Sequence, residues 1–325
     1  MKPKVLVTRR LPAAVMEYLA AHFEITFNPP EGELPRDEFL NLVSGIDGLL
    51  PLISDRIDQE AMDHAGPKLK IIASYAVGFN NIDLKTATAR KIAVCNTAGS
   101  LTETTADLTM ALLSCVARRI VEGDAYVRSG KFKGWSLSLF VGADVHHKII
   151  GLVGFGRIGR AVAKRAAGFD MRILYNSRHR ADPEIENQFQ AQYRDKETLL
   201  KESDFVSLHV PLTPETFHLI GHKEFSLMKP TSFIINTARG EVIDEHALVA
   251  ALKNKSIAGA ALDVYEHEPE IQPDLLSMDN VVLMPHIGSA TQETRIKMGL
   301  MAVENLVAFF KGQIPPNCLN PEIFS

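Results

Sequence analysis

Three segments in the second half of the chain carry residue types that suit the reduction of a carbonyl. Ile235-Asn-Thr-Ala-Arg239-Gly240 offers a guanidinium, Ala261-Leu-Asp263-Val-Tyr-Glu-His-Glu268-Pro269 a carboxylate, and Met284-Pro-His286-Ile-Gly288 an imidazole. Such a reduction needs a cation that holds a carboxylate and polarises the carbonyl. It needs an acid that protonates the oxygen as a hydride arrives, and a group that keeps this acid charged until then. Arg239 suits the first role through its forked donors. His286 suits the second, because imidazole titrates near neutrality. Glu268 suits the third, because a neighbouring carboxylate favours imidazolium. Singly, each has an ordinary reading: a solvated loop arginine, an acidic exposed loop, a satisfied histidine at a strand end. Together, downstream of a coenzyme motif, they point to chemistry.

That motif is Gly151-Leu-Val-Gly154-Phe155-Gly156-Arg157-Ile158-Gly159. It follows an expected strand at 149–153 and opens an expected helix from about Arg157, which is the context a GxGxxG loop requires. Gly154 allows the tight turn, Gly156 lets backbone approach a pyrophosphate, and Gly159 permits close helix–sheet packing. The helix N-terminus attracts the phosphate charge. At the end of the second strand, where NAD sites usually carry Asp or Glu for the ribose 2′-hydroxyl, this chain has Asn176, followed by Ser177, Arg178, His179 and Arg180. No carboxylate is present to repel a 2′-phosphate, and Arg178 and Arg180 can pair with one. The expectation is NADP(H) preference, with NAD(H) still compatible; the bland reading is a solvated basic loop.

The elements that must position these residues alternate. Strands are expected at 5–8, 23–27, 48–53, 69–74 and 92–96, with helices at 13–22, 36–43, 57–65 and 84–90. A helix follows at 102–118, with Thr102 as cap and Leu108, Ala111, Leu112, Cys115 and Val116 at helical spacing. Residues 129–147 have no clean period and read as connecting loop, with Trp135 and Phe140 at a packing surface. A second alternation places strands at 149–153, 171–175, 205–209, 232–236, 259–262 and 281–284, most with helices between them, and a last helix at 292–311. The expected fold class is α/β, two Rossmann-like doubly wound parallel-sheet domains. All three catalytic segments then lie past the carboxyl ends of strands, where open α/β sheets collect ligands.

The totals bound the alternatives. The chain has 325 residues, 46% hydrophobic and 23% charged, with a net charge of −4. That length favours two domains, and the charge provides no basic field for nucleic acid or an anionic membrane. Cys95, Cys115 and Cys318 form no CxxC pair, which fits a reducing compartment. No apolar run is long enough to span a bilayer and no signal-peptide pattern opens the chain, so a cytoplasmic protein is expected. A zinc site at His218 and His222 or at the tandem His146–His147 is disfavoured: Gly221 weakens the helix and no HExxH or thiol cluster assists. No metal is expected.

Read together, these segments resemble the D-isomer-specific 2-hydroxyacid dehydrogenases, and within them the glyoxylate/hydroxypyruvate reductases. The resemblance covers nearly the whole chain. It includes Lys4-Val-Leu-Val-Thr-Arg9, Ser74-Tyr-Ala-Val-Gly78-Phe-Asn-Asn-Ile-Asp83, Thr104-Thr105-Ala-Asp107, the nucleotide loop, and the segments around Arg239, Glu268 and His286. It implies that Arg239, Glu268 and His286 are the catalytic set. It implies coenzyme contacts from Thr105, the 154–159 loop, residues 176–180, Val210, Pro211, Thr237, Ala238, Asp263 and Gly288. It implies a substrate loop at Ala76, Val77 and Gly78, where successive N–H groups can cradle a carboxylate, with Leu52 lining the same cleft. A discontinuous substrate domain, 1–98 plus 289–325, would enclose an NAD(P)-binding domain at 99–288, with a cleft between them. A homodimer is implied, with the 108–116 helix and the 129–147 loop as candidate contacts. The substrate would be a small 2-oxo or 2-hydroxy acid. Related activities of the 2-ketogluconate reductase or phosphoglycerate dehydrogenase type stand as alternatives, although little chain follows Pro316 for a regulatory domain. A non-enzymatic NAD-sensing corepressor on the same fold is the alternative from another class.

Overall fold

Short runs of Val, Ile and Leu that are apolar at every position need cover on both faces of a sheet, and parallel sheets flanked by helices supply it. The computed structural model describes residues 2–27 and 34–325. It has two units: one runs to Leu101 and resumes at Ser289–Ser325, and the other is Thr102–Gly288.

The first unit holds β1 (Lys4–Val7), β2 (Glu24–Phe27), β3 (Gly48–Leu50), β4 (Ile71–Ala73) and β5 (Ala93–Cys95). They are parallel in the order β2-β1-β3-β4-β5. Val5, Val7 and Ile71 face one core; Leu6, Leu49 and Ile72 face the other. The helix Gln292–Phe310 closes the first of these cores with Met298, Ala302, Val303 and Leu306. It lies so close to Ala13–His22 that a Cβ on Gly299 would stand 2.6 Å from Val15 Cγ2.

The second unit holds β6 (Ile149–Val153), β7 (Arg172–Asn176), β8 (Ala191–Tyr193), β9 (Phe205–Leu208), β10 (Phe233–Asn236), β11 (Gly259–Leu262) and β12 (Val281–Leu283). The order is β12-β11-β10-β9-β6-β7-β8, all parallel. The chain reverses its direction of growth between β6 and β9, so a crevice opens beyond their carboxyl ends.

Several boundaries differ from the sequence expectation for local reasons. β3 stops at Leu50 rather than at 53, because Pro51 has no N–H for the ladder. The helix expected from Ile57 begins at Gln59, capped by Asp58, whose carboxylate accepts from Ala61 N. Two elements were not expected. Ile120–Arg128 is helical, separated from Thr102–Arg118 by Arg119 in the left-handed region (φ 53°). β8 is a three-residue edge strand, Ala-Gln-Tyr, too short and mixed to leave a pattern. Residues 129–147 contain neither helix nor strand, as expected. Phe140 packs against Tyr126 and under Arg119, but Trp135 is 84% exposed. In the 108–116 helix, Leu112, Leu113 and Val116 are buried in the core of their own unit, while Leu108 and Cys115 are partly buried and Ala111 is exposed.

Candidate active site

The nucleotide loop starts at Val153, the last residue of β6. Gly154 has φ +102°, and a Cβ there would stand 2.4 Å from the His209 carbonyl oxygen at the end of β9. A glycine is required on both counts. Gly159 is required by packing alone, since its Cβ would meet Gly154 O at 2.3 Å. Gly156 faces open space, with no atom within 4 Å of an added Cβ. The helix Arg157–Ala167 begins there, so its first N–H groups point into that space. A pyrophosphate fits this cradle. Phe155 is buried and stacks on Tyr175 at 4.2 Å, so its side chain belongs to the core and only its backbone belongs to the loop. Ile158 packs partly against the same core, and Arg157 is exposed.

At the end of β7, Asn176 donates from Nδ2 to Arg194 O and accepts from Gly154 N through its carbonyl. Ser177 Oγ donates to His179 O. The two arginines differ. Arg180 grips Glu186 with Nε and Nη2 at 2.9 and 2.8 Å, and this pairing, with Tyr175, holds the Glu186 carboxyl down to about 2. Arg178 is exposed and has no ion pair among the described residues. Past β9, burial drives the His209 ring down to about 3, so it is neutral at physiological pH, and it shares a hydrogen bond with Ser207. Val210 and Pro211 follow, and Pro211 O accepts from Thr216.

Arg239, Glu268 and His286 come after β10, β11 and β12, three strands in a row, and meet at one end of this sheet. The turn that carries Arg239 is held by Asn236, whose side chain donates to Arg239 O and accepts from Ala238 N. Thr237 Oγ1 shares a hydrogen bond with Thr109, which also donates to Thr105 O. Gly240 lies flat against Tyr265: a Cβ there would stand 1.8 Å from the Tyr265 carbonyl carbon. Arg239 is half-buried, and desolvation lowers its pKa against the opposing pull of Glu241 and Glu268.

Glu268 Oε1 accepts from Tyr265 N at 3.0 Å, and Oε2 meets His286 Nδ1 at 2.8 Å. Burial alone would raise the Glu268 pKa. The hydrogen bond and charge of His286, the Tyr265 N–H and the Arg239 charge outweigh it and hold the carboxyl below its ordinary value. The side chains of His286 and Glu268 are 37% and 35% exposed, so the pair opens to solvent.

His286 itself has φ +54°, a costly conformation for a residue with a Cβ. Asp263 fixes it. Its two carboxylate oxygens accept from Ile287 N at 2.7 Å and Gly288 N at 2.8 Å, and Thr105 Oγ1 donates to Gly288 O. Burial raises the Asp263 pKa, against the two N–H groups and the His286 charge. Tyr265 donates to Met284 O just before this turn, and its phenol, pushed up to about 12 chiefly by burial, stays protonated.

Arg239, Glu268 and His286 stand out by type in the sequence, whereas the groups that hold their turns do not. Asn236 and Tyr265 lie inside the quoted motifs, yet nothing in their type marks a turn pin or a strap. Residues 267–270 form an exposed loop, yet Glu268 within it has partners. Glu266 pairs with His218 Nε2 at 2.6 Å and accepts from Glu245 N, so it and Glu268 are both engaged.

Leu52, Ala76, Val77 and Gly78 belong to the other unit. Leu52 follows β3, at the strand reversal of that sheet, and its N–H donates to Asp55. Asp55 is buried, accepts from Thr8 Oγ1 and pairs with Arg9. Tyr75 N donates to Pro51 O; Ala76 O and Val77 O accept from Thr97 N and Asn96 Nδ2. The N–H groups of Val77 and Gly78 have no acceptor among the described residues.

Residues 110–288 match the family model of the D-isomer specific 2-hydroxyacid dehydrogenase, NAD binding domain. A glyoxylate reductase of Thermococcus litoralis is 53% identical, over 100% of this chain and 99% of its own. A protein of Thermus thermophilus superimposes with a TM-score of 0.91 at 46% identity, covering 97% of this chain and 99% of that one. An NADPH-dependent glyoxylate/hydroxypyruvate reductase of Sinorhizobium meliloti, solved with NADP and malonate, gives a TM-score of 0.86 at 31% identity, covering 100% and 98%. Two parallel α/β sheets, a nucleotide loop at the strand reversal of one and an Arg–Glu–His cluster at its carboxyl end place the chain among the D-isomer-specific 2-hydroxyacid dehydrogenases, as an NAD(P)-dependent oxidoreductase.

Proposed function

We propose that the chain reduces glyoxylate, hydroxypyruvate and similar small 2-oxo acids to D-2-hydroxy acids, favouring NADP(H) over NAD(H). The observation that carries this reading is the 2.8 Å contact of His286 Nδ1 with Glu268 beside Arg239. With Nδ1–H engaged, Nε2 is the nitrogen left to serve a substrate oxygen. The Arg239 guanidinium holds the substrate carboxylate and draws charge toward the carbonyl oxygen. His286 delivers the proton from Nε2, and Glu268 stabilises and orients the ring until it does. When bound, the coenzyme supplies the hydride that C2 accepts. The open cradle at Gly156 and the neighbouring helix N-terminus would hold its pyrophosphate. Thr105, Val210, Pro211, Thr237 and Ala238 would line the rest, and Asp263 acts through the Gly288 turn. Val77 and Gly78 would give N–H groups to the substrate carboxylate, with Leu52 as an apolar wall. The Thr102–Gly288 unit is then the coenzyme domain and the discontinuous unit the substrate domain.

NADP(H) preference rests on the uncharged Asn176 and on Arg178, which is available for a 2′-phosphate while Arg180 is tied to Glu186. The Sinorhizobium relative, NADPH-dependent by name, uses the same fold. Glyoxylate and hydroxypyruvate turned over with each coenzyme test both parts. A lower KM for NADPH than for NADH supports the preference; the reverse order rejects it, and no turnover with either rejects the activity.

A cytoplasmic homodimer completes the reading. Ile120, Val127, Phe132, Trp135, Leu137 and Val141 are exposed on one stretch of the coenzyme unit, and contiguous exposed apolar residues mark association surfaces. A sedimentation mass of one chain would reject the dimer.

A further inference from the structure

The chain returns at its C-terminal end to the first sheet. Leu319 N donates to Val94 O at 2.7 Å and Asn96 N donates to Asn317 O at 3.3 Å, so Cys95 and Cys318 face each other across an antiparallel bridge. These two bonds flank the cysteine pair instead of joining it, which makes it a non-hydrogen-bonded pair. In that register Cα atoms lie about 4.5 Å apart with side chains on the same face. A disulfide spans Cα separations of about 4.4–6.8 Å. Cys318 Sγ donates to Asn320 Oδ1 at 3.5 Å, and Cys318 is partly exposed while Cys95 is buried at the sheet edge.

We propose that Cys95 and Cys318 form a dithiol modification site that peroxides convert to an intrachain disulfide. Cys318 is the attacking thiol, because it is reachable from solvent whereas Cys95 is buried. Its sulfur takes one peroxide oxygen, the O–O bond breaks, and hydroxide leaves. Cys95 sulfur then attacks the sulfenic sulfur. The S–S bond forms, the S–O bond breaks, and the Cys95 proton departs with that oxygen as water. Two thiols lose two electrons and two protons, and one peroxide becomes two waters. Cys115, the third thiol, lies in the other unit and takes no part. The bond ties the two sequence-distant segments of the discontinuous unit together beside Asn96 and Thr97, which hold the 76–77 carbonyls. In a reducing compartment the pair rests as thiols, and a thiol reductant restores them.

The test is a thiol count and peptide map of the whole protein, reduced and then treated with hydrogen peroxide. The expected result is a fall from three thiols to one, a mass loss of two hydrogens and a Cys95–Cys318 cross-linked peptide, all reversed by dithiothreitol. Cys115→Ser retains the cross-link. Cys95→Ser abolishes it and leaves a sulfenic acid at Cys318 that dimedone traps. Three thiols persisting after peroxide, a cross-link through Cys115, or direct conversion of Cys318 to sulfinic acid in the unmutated protein would each overturn the assignment.

Discussion

A histidine that gives up a proton at one point needs its ring aimed and its charge supported, and in the proposed reaction Glu268 does both for His286. Glu268 is itself held by Tyr265 N, so it cannot follow His286 if the ring swings away. Replacing Glu268 by Gln keeps the size and removes the charge. Because a cationic ring loses its negative neighbour, the alkaline limb of the kcat/KM profile for reduction should move to lower pH. A profile that stays in place would remove Glu268 from this role. The acid side has its own sign. A carboxyl whose pKa is depressed by folding adds stability above its unfolded value, ordinarily 4.5, and loses it as pH falls through the folded value. Glu268→Gln should therefore flatten the fall of melting temperature on acidification. Arg239 acts on charge that develops during the reaction, so Arg239→Ala should lower kcat/KM by about 10²-fold or more. A loss of only a few-fold would show that its guanidinium faces elsewhere.

Elements enter because none of these side chains is placed by its own strand alone. Gly240, after β10, touches the backbone of Tyr265, after β11, and Tyr265 in turn holds Glu268 and Met284. A methyl group at 240 meets backbone atoms that cannot step aside. Gly240→Ala should cost about 3 kcal/mol of stability or more, and the fraction that folds should show a Glu268-like defect because the Tyr265 N–H moves. Denaturant melts and pH profiles on the same sample separate the two effects; an unchanged midpoint would contradict the contact. The strands that bring these turns together were legible because they are buried on both faces and read as apolar runs, Ile-Ile-Gly-Leu-Val in β6 and Phe-Ile-Ile in β10. β8 and Ile120–Arg128 were not, since one is a short edge strand and the other has no buried residue to set a period. Arg239, Glu268 and His286 stand out by type in the sequence, and the structure brings Glu268 and His286 into contact. Asp263 did not reveal its place: only the folded chain brings its carboxylate under the N–H groups of a turn more than twenty residues away, where it holds His286 at positive φ.

At the scale of the whole chain, the two units differ in how sequence supplies their cores. Thr102–Gly288 is continuous and covers both faces of its sheet with its own helices. Its first helix, Thr102–Arg118, places Leu112, Leu113 and Val116 in the same core as Ile150 and Ile235. The other unit is built from two segments. Without the second, the core around Val5, Val15 and Ile71 lacks Met298, Ala302, Val303 and Leu306, and Tyr75 loses the Arg295 carbonyl that its hydroxyl donates to. A domain with a complete core folds by itself, whereas one missing a core helix exposes apolar surface it cannot hide. Residues 102–288 expressed alone should therefore melt cooperatively and enhance NADPH fluorescence on binding. Residues 1–101 alone should show no cooperative melt. If the 102–288 fragment also melted without a transition, the coenzyme site would depend on the other unit for its fold, and the nucleotide loop, Asp263 clamp and Arg–Glu–His cluster would have to be reread as products of the intact chain.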